Sequence, residues 1–285
     1  GEYLALRYSH PVWLVRRLME ILGKEEAEEY LRLDNEAVPT TIQRNPLRCG
    51  EEELLESLTA SGAVLTPHPW LPDCWRTAGG GSLETMHAFR EGWFQVQDAA
   101  ARAAVLAAGL KPGDRVLDVC AAPGGKSFAA AMAMEDKGEV IACDIHSHKL
   151  ALIEKGGERL GLCCVHPLLA DGRKVREDWL EGFDAVLCDV PCSGLGIIRK
   201  KPDIRYKDPV RLAGLPEVQS AILDNAGRYV KSGGVLLYAT CTILPEENQA
   251  VTEAFLKRHE DFQKERFPLP GLQEMNDGSL TLWPQ

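Results

Sequence analysis

Apolar positions along the chain follow two regimes, divided at about residue 80. In residues 10–36, HPVWLVRRLMEILGKEEAEEYLRLDNE, apolar side chains recur at helical spacing and break at Gly23, which predicts two short amphipathic helices. TTIQRNPL then reads as a strand, CGEEELLESLTASG as a helix closed by Gly62, and AVLTPHP as a further extended piece. Residues 1–80 are therefore expected to form a small α+β module. Between Pro67 and Gly92, prolines and the triplet at 79–81 leave little periodicity, and this stretch is expected to be a connection.

Behind it the pattern changes to regular alternation. A helix over about residues 97–108 precedes the strand RVLDVC, the turn AAPGGK, the helix SFAAAMAM and the strand EVIACDI. A helix through HKLALIEKGGERLG and strands around CCVHPLLAD and FDAVLCDV follow. The helix PEVQSAILDNAGRYV, the strand GVLLYATC and the helix PEENQAVTEAFLKRH complete the series. Short apolar strands alternating with helices predict, for residues 81–285, an α/β domain with a mostly parallel, doubly wound sheet. Ligands of such sheets bind at the carboxyl ends of the strands. Asp118 through Lys126, Asp144, Asp171, Asp189 through Cys192, and Cys241 fall at those ends.

Composition narrows the class. Of the 285 residues 45% are hydrophobic and 26% charged, which excludes a mainly disordered chain. No apolar run approaches the eighteen or so residues of a membrane span, and GEYLALRYSHP lacks the apolar core of a signal peptide. The expectation is a cytoplasmic monomer with no membrane partner. Because the chain opens on Gly1 and not Met, it is expected to be an excerpt of a longer protein.

Nine cysteines are an odd number, and Cys120, Cys143 and Cys188 lie in strand-like runs, so reduced thiols are expected. No Cys-x-x-Cys pair occurs, and no metal site is expected. The net charge of −10 argues against a surface that grips nucleic acid all round. Residues 197–211 nevertheless hold six basic and two acidic side chains. Arg199, Lys200, Lys201, Arg205 and Lys207 are candidates for phosphate contacts, the alternative being a solvated loop.

CAAPGGKS resembles the end of a phosphate-binding loop, but the position five before Gly125 is Cys120 where that motif needs glycine. A Gly-x-Gly-x-x-Gly fingerprint is also absent from it. What remains is a strand-to-helix turn where Gly124 and Gly125 let backbone approach a ligand closely. Asp144 would accept from two ribose hydroxyls and Asp171 from an amine of the same ligand. Each could instead cap the following helix. Cys192 and Cys241 lie beside this nucleoside pocket, where a thiolate can act as nucleophile.

DVCAAPGGKS, ACDIH, LLADGRK, CDVPCSGLGIIRKKPDIRY and YATCTILPEENQAV, preceded by FREGWFQVQDAAAR, resemble the successive motifs of the Nop/Sun family of S-adenosylmethionine-dependent RNA cytosine-5 methyltransferases. YSHPVWLVRRLME and TTIQRN are similar to its bacterial small-subunit rRNA branch, often called Sun or Fmu. The resemblance implies a Rossmann-like class I methyltransferase domain acting on RNA, with rRNA as substrate. It implies that Cys120, Ala121, Ala122, Pro123, Gly124, Gly125, Lys126, Asp144, Asp171 and Asp189 line the S-adenosylmethionine site. It further implies Cys241 as nucleophile and Cys192 as the group that helps release product, with Asp189 beside the reacting base.

Two departures from the family pattern stand out. A further helical RNA-binding domain upstream of these motifs and a Phe-rich final strand after LTLWPQ are both expected to fall outside this sequence. The rival readings are an enzyme of the same fold acting on tRNA, DNA or protein, and a non-catalytic RNA-binding assembly factor.

Overall fold

A computed structural model describes residues 1–269 and 277–282. The N-terminal periodicity becomes three helices, α1 (Glu2–Tyr8), α2 (Val12–Leu22) and α3 (Lys24–Leu33). Gly23, at φ 87°, makes the sharp break between the last two. Leu14, Val15, Leu18 and Leu31 on their inner face are fully buried, but against residues far along the chain: Leu195, Ile198, Ile243 and Leu244. The helices thus cover two loops of the second sheet and share no hydrophobic cluster with the strands that follow them.

Those strands form a separate layer. β1 (Thr40–Arg44), α4 (Glu51–Ala60), β2 (Ala63–Pro67), β3 (Cys74–Gly79), α5 (His87–Arg90) and β4 (Phe94–Val96) follow in order. The sheet runs β2-β3-β1-β4 and every pairing is antiparallel. β3 and β4 lie within or just beyond the stretch expected to be a connection, so that expectation is corrected. Both strands are short and weakly patterned; pairing specifies them, with Ile42 of β1 opposite Trp75 on one side and Val96 on the other. The boundary expected at residue 80 therefore falls inside the span of this first sheet.

α6 (Ala99–Ala107) begins where the Asp98 carboxylate accepts from Ala100 N at 2.7 Å. The second sheet follows: β5 (Arg115–Asp118), α7 (Gly125–Ala133), β6 (Glu139–Asp144), α8 (Ser147–Leu160), β7 (Val165–Leu169) and β8 (Phe183–Asp189). α9 (Pro209–Leu212), α10 (Leu215–Gly227), β9 (Val230–Ala239) and α11 (Gln249–Arg258) complete it. Its order is β7-β6-β5-β8-β9 and all pairings are parallel. Alternate side chains enter two cores: Val116, Val140, Ala185 and Leu187 with Ala129 and Ile153, and Leu117, Ile141, Val186 and Cys188 with Ile222 and Phe255. The strand order reverses direction between β5 and β8, and that switch point opens the crevice where a doubly wound sheet holds its ligand. Among the described residues no helix is long and apolar enough to cross a membrane.

Candidate active site

Five strand ends build the candidate site. Asp118 closes β5 fully buried, with Oδ2 accepting from Ser127 Oγ at 2.7 Å and the Cys120 backbone N–H also favouring its charged form. The turn Cys120, Ala121, Ala122, Pro123 then leads to Gly124 at φ 113°, the residue before α7. A Cβ at Gly124 would stand 2.3 Å from the Phe128 ring, so only glycine lets the backbone pass here. The Gly125 carbonyl accepts from Gln97 Nε2 at 2.8 Å, tying the turn to the segment between β4 and α6. Burial raises the Cys120 thiol pKa, which suits a packed residue and not a nucleophile.

Asp144, buried at the end of β6, accepts from His146 N at 2.9 Å through Oδ1, while Oδ2 faces Lys149 Nζ at 3.7 Å. Its neighbour Ile145 is 47% exposed, an apolar face beside a carboxylate. Asp171 does more than cap. It holds the Arg173 guanidinium through both oxygens at 2.9 and 2.8 Å, and that pairing keeps its pKa below the usual carboxylate range. Asp189 ends β8 and accepts from Lys126 Nζ at 2.6 Å, so Lys126 bridges the cofactor-side turn and the neighbouring strand end.

Cys192 and Cys241 meet. Their sulfurs lie 3.2 Å apart, and Cys241 N donates to Cys192 Sγ at 3.3 Å. The Cys241 pKa is lowered, chiefly by a hydrogen bond from Cys192, with Lys126 and Lys207 helping and burial and Asp189 opposing. The Cys192 pKa is raised by the same hydrogen bond and by burial. The electrostatics thus favour ionisation at Cys241 over Cys192, in a pair of sulfurs where either atom can donate to the other. Gly196 N donates to the Cys241 carbonyl at 2.9 Å, locking the two loops backbone to backbone.

The basic run divides. Arg205 is buried, donating to Ser9 O at 3.0 Å and Asn35 Oδ1 at 3.2 Å, so its assignment to RNA contact is corrected: a guanidinium enclosed under the N-terminal helices cannot reach a phosphate. Arg199 is half-buried, its Nε enclosed without a hydrogen-bond partner among the described residues. Lys200 is ion-paired with Asp98. Lys207 turns its ammonium inward to the Ser193 carbonyl at 2.7 Å, beside the thiols. Lys201 alone of the five is exposed with its side chain in no hydrogen bond or ion pair among the described residues.

One functional group escaped the reading of the sequence. Glu247 is 1% exposed and accepts from Ser193 N at 2.9 Å, Gln219 Nε2 at 2.8 Å and Thr242 Oγ1 at 3.3 Å. In PEENQAV it looks like an acidic residue at a helix start, where carboxylates are common, and no local signal turns it inward.

A parallel sheet with a glycine turn, acidic strand ends and a crevice at its switch point defines a Rossmann-like, doubly wound domain. The chain belongs to the RsmB/F family of 16S rRNA methyltransferases. The family model described as 16S rRNA methyltransferase RsmB/F matches residues 105–285, and one described as the RsmF/B-like ferredoxin-like domain matches residues 10–83. The chain is 37% identical to the probable ribosomal RNA small subunit methyltransferase B of Bacillus subtilis over 99% of its own length and 64% of that relative's. It thus spans less than two thirds of that curated relative. Among solved structures, that of PH0851 superposes with a TM-score of 0.87 at 34% identity, covering 90% of this chain and 59% of that one. A methyltransferase homolog protein from Pyrococcus horikoshii gives 0.79 at 26%, covering 89% and 81%.

Proposed function

We propose that the protein transfers a methyl group from S-adenosylmethionine to C5 of a cytosine in small-subunit ribosomal RNA, through a covalent cysteine adduct at C6. The observation that carries this reading is the asymmetric thiol pair, Cys241 and Cys192 at 3.2 Å, at the mouth of a methyltransferase sheet. The Bacillus subtilis relative is named for small-subunit ribosomal RNA, which supports that substrate.

The residues present fit the cofactor. Gly124, whose missing Cβ leaves room for the Phe128 ring, lets the backbone turn tightly after β5, Asp144 offers a carboxylate for the ribose hydroxyls, and Ile145 offers an apolar face for the purine. When bound, S-adenosylmethionine supplies an electrophilic methyl on a cationic sulfur, for which acidic strand ends are electrostatically favourable.

Cytosine C5 is a poor nucleophile until something adds to C6. The Cys241 thiolate makes that addition, and the ring becomes an enamine. Asp189, which accepts from Lys126 Nζ at 2.6 Å, or a neighbour hydrogen-bonds or protonates ring N3 as the adduct forms. Once C5 carries its methyl, the C5 proton must leave so that Cys241 can be expelled, and Cys192 assists that departure. The test is incubation of the protein and methyl-labelled S-adenosylmethionine with 16S rRNA or small subunits from cells lacking the homologous activity, followed by bisulfite sequencing. A new protected cytosine is expected. Labelling of tRNA in place of 16S rRNA would refute the substrate, and no labelled cytosine in either would refute the reaction.

A further inference from the structure

Glu247 is bound to the residue that follows each thiol. Ser193, next to Cys192, donates its backbone N–H to Glu247 Oε2 at 2.9 Å; Thr242, next to Cys241, donates its hydroxyl to Oε1 at 3.3 Å. The circuit closes on itself, because Ser193 Oγ and Thr242 Oγ1 lie 2.6 Å apart. Thr242 has one hydroxyl proton, and with that proton on Glu247 the Ser193 hydroxyl must donate to Thr242. Gln219 Nε2 adds a further bond to Oε2 and also donates to Pro191 O at 3.0 Å, fastening the start of the Cys192 loop. Ser193 is fully buried and Glu247 only 1% exposed, so water cannot substitute for any of these contacts.

We infer that Glu247 is a positioning residue that holds the Cys192 and Cys241 loops in the register that lets one thiol donate to the other. It touches neither sulfur. It sets where both backbones stand, and the 3.2 Å contact between the two sulfurs follows from that. The inference rests on the reading of Cys241 as the attacking thiol. The thiol geometry it explains can nevertheless be measured without RNA.

The experiment is the pH dependence of iodoacetamide alkylation at the Cys241 peptide, read by mass spectrometry, in the wild type, E247A and E247Q. Lys126, Lys207 and Asp189, which also act on Cys241, are unchanged in all three. The alkylation midpoint is expected to rise in E247A, and turnover to fall about a hundredfold, as for a reacting group displaced by about 1 Å. KM for RNA and calorimetric binding of S-adenosylmethionine should stay near wild type. E247Q should recover most of both properties, because its amide oxygen still accepts from Ser193 and Gln219 while Thr242 reverses its bond. A folded E247A with an unmoved midpoint would overturn the inference, even if its melting temperature dropped. Where E247A does not fold, T242V decides by the same readout: a raised midpoint supports the inference and an unchanged one refutes it. A wild-type protein that methylates no RNA would refute the enzymatic reading and leave the thiol comparison intact.

Discussion

Asp118 gives a stability prediction with a definite sign. Burial raises its pKa from 3.8 to about 6, with Asp189 adding to the shift and the Ser127 hydrogen bond opposing it. An acid whose folded pKa exceeds its unfolded one holds its proton longer in the folded state. Its unfavourable contribution is absent below pH 3.8, grows as pH rises, and is complete above about 6. The gap corresponds to about 3 kcal/mol of stability lost at neutral pH. Asp118→Asn cannot ionise and keeps an oxygen for Ser127. The variant should therefore be more stable than wild type at pH 8, by up to about 3 kcal/mol. That advantage should vanish by about pH 4. Urea denaturation of both proteins across this range measures it. A difference that does not change with pH would refute the reasoning. A carboxylate kept at such a cost implies a use, and the same variant should bind S-adenosylmethionine more weakly by calorimetry.

Other substitutions test the remaining parts of the site. Cys241→Ala should abolish methyl transfer and the RNA adduct, whereas Cys192→Ala should slow release so that an RNA–protein adduct accumulates on a denaturing gel; full activity in Cys241→Ala would reverse the two roles. Gly124→Ala forces an L-residue to φ 113° with its Cβ 2.3 Å from Phe128. A loss of about 2–4 kcal/mol in thermal melts is expected, together with weaker cofactor binding. Arg205→Ala should cost about 2–4 kcal/mol in urea without changing the salt dependence of RNA binding, because its guanidinium serves Ser9 and Asn35. Lys201→Ala should do the opposite, leaving stability unchanged and reducing the salt slope by about one.

The alternation after residue 96 was legible because the central parallel strands β5, β6 and β8 are buried on both faces and read as continuous apolar runs between helices. β3 and β4 were not, because a short antiparallel strand takes its conformation from the neighbour it pairs with, and CWRTAG and FQV carry little pattern alone. The same distinction runs through the site. Gly124 and the strand-end aspartates announce themselves locally, since a glycine turn after a strand means the same thing wherever it occurs. That Cys192 and Cys241 touch depends on strand order and register: β8 lies beside β9 with Asp189 opposite Ala239, so three residues past one strand and two past the other bring the sulfurs to one level. The burial of Arg205 depends on still more distant chain, since the helices that enclose it lie at the other end of the sequence. The N-terminal helices thereby acquire a function that their amphipathic pattern does not disclose. Their apolar face is the floor on which Leu195, Ile198, Ile243 and Leu244 rest, so packing on one side and Glu247 on the other fix the two loops that carry the thiols. A large-to-small change in that floor, such as Leu18→Ala, should cost about 2–5 kcal/mol as an ordinary core cavity does. It should also raise the alkylation midpoint of Cys241, although residue 18 lies in another layer of the fold; a destabilised variant with an unmoved midpoint would show that the helices support the fold and not the thiols.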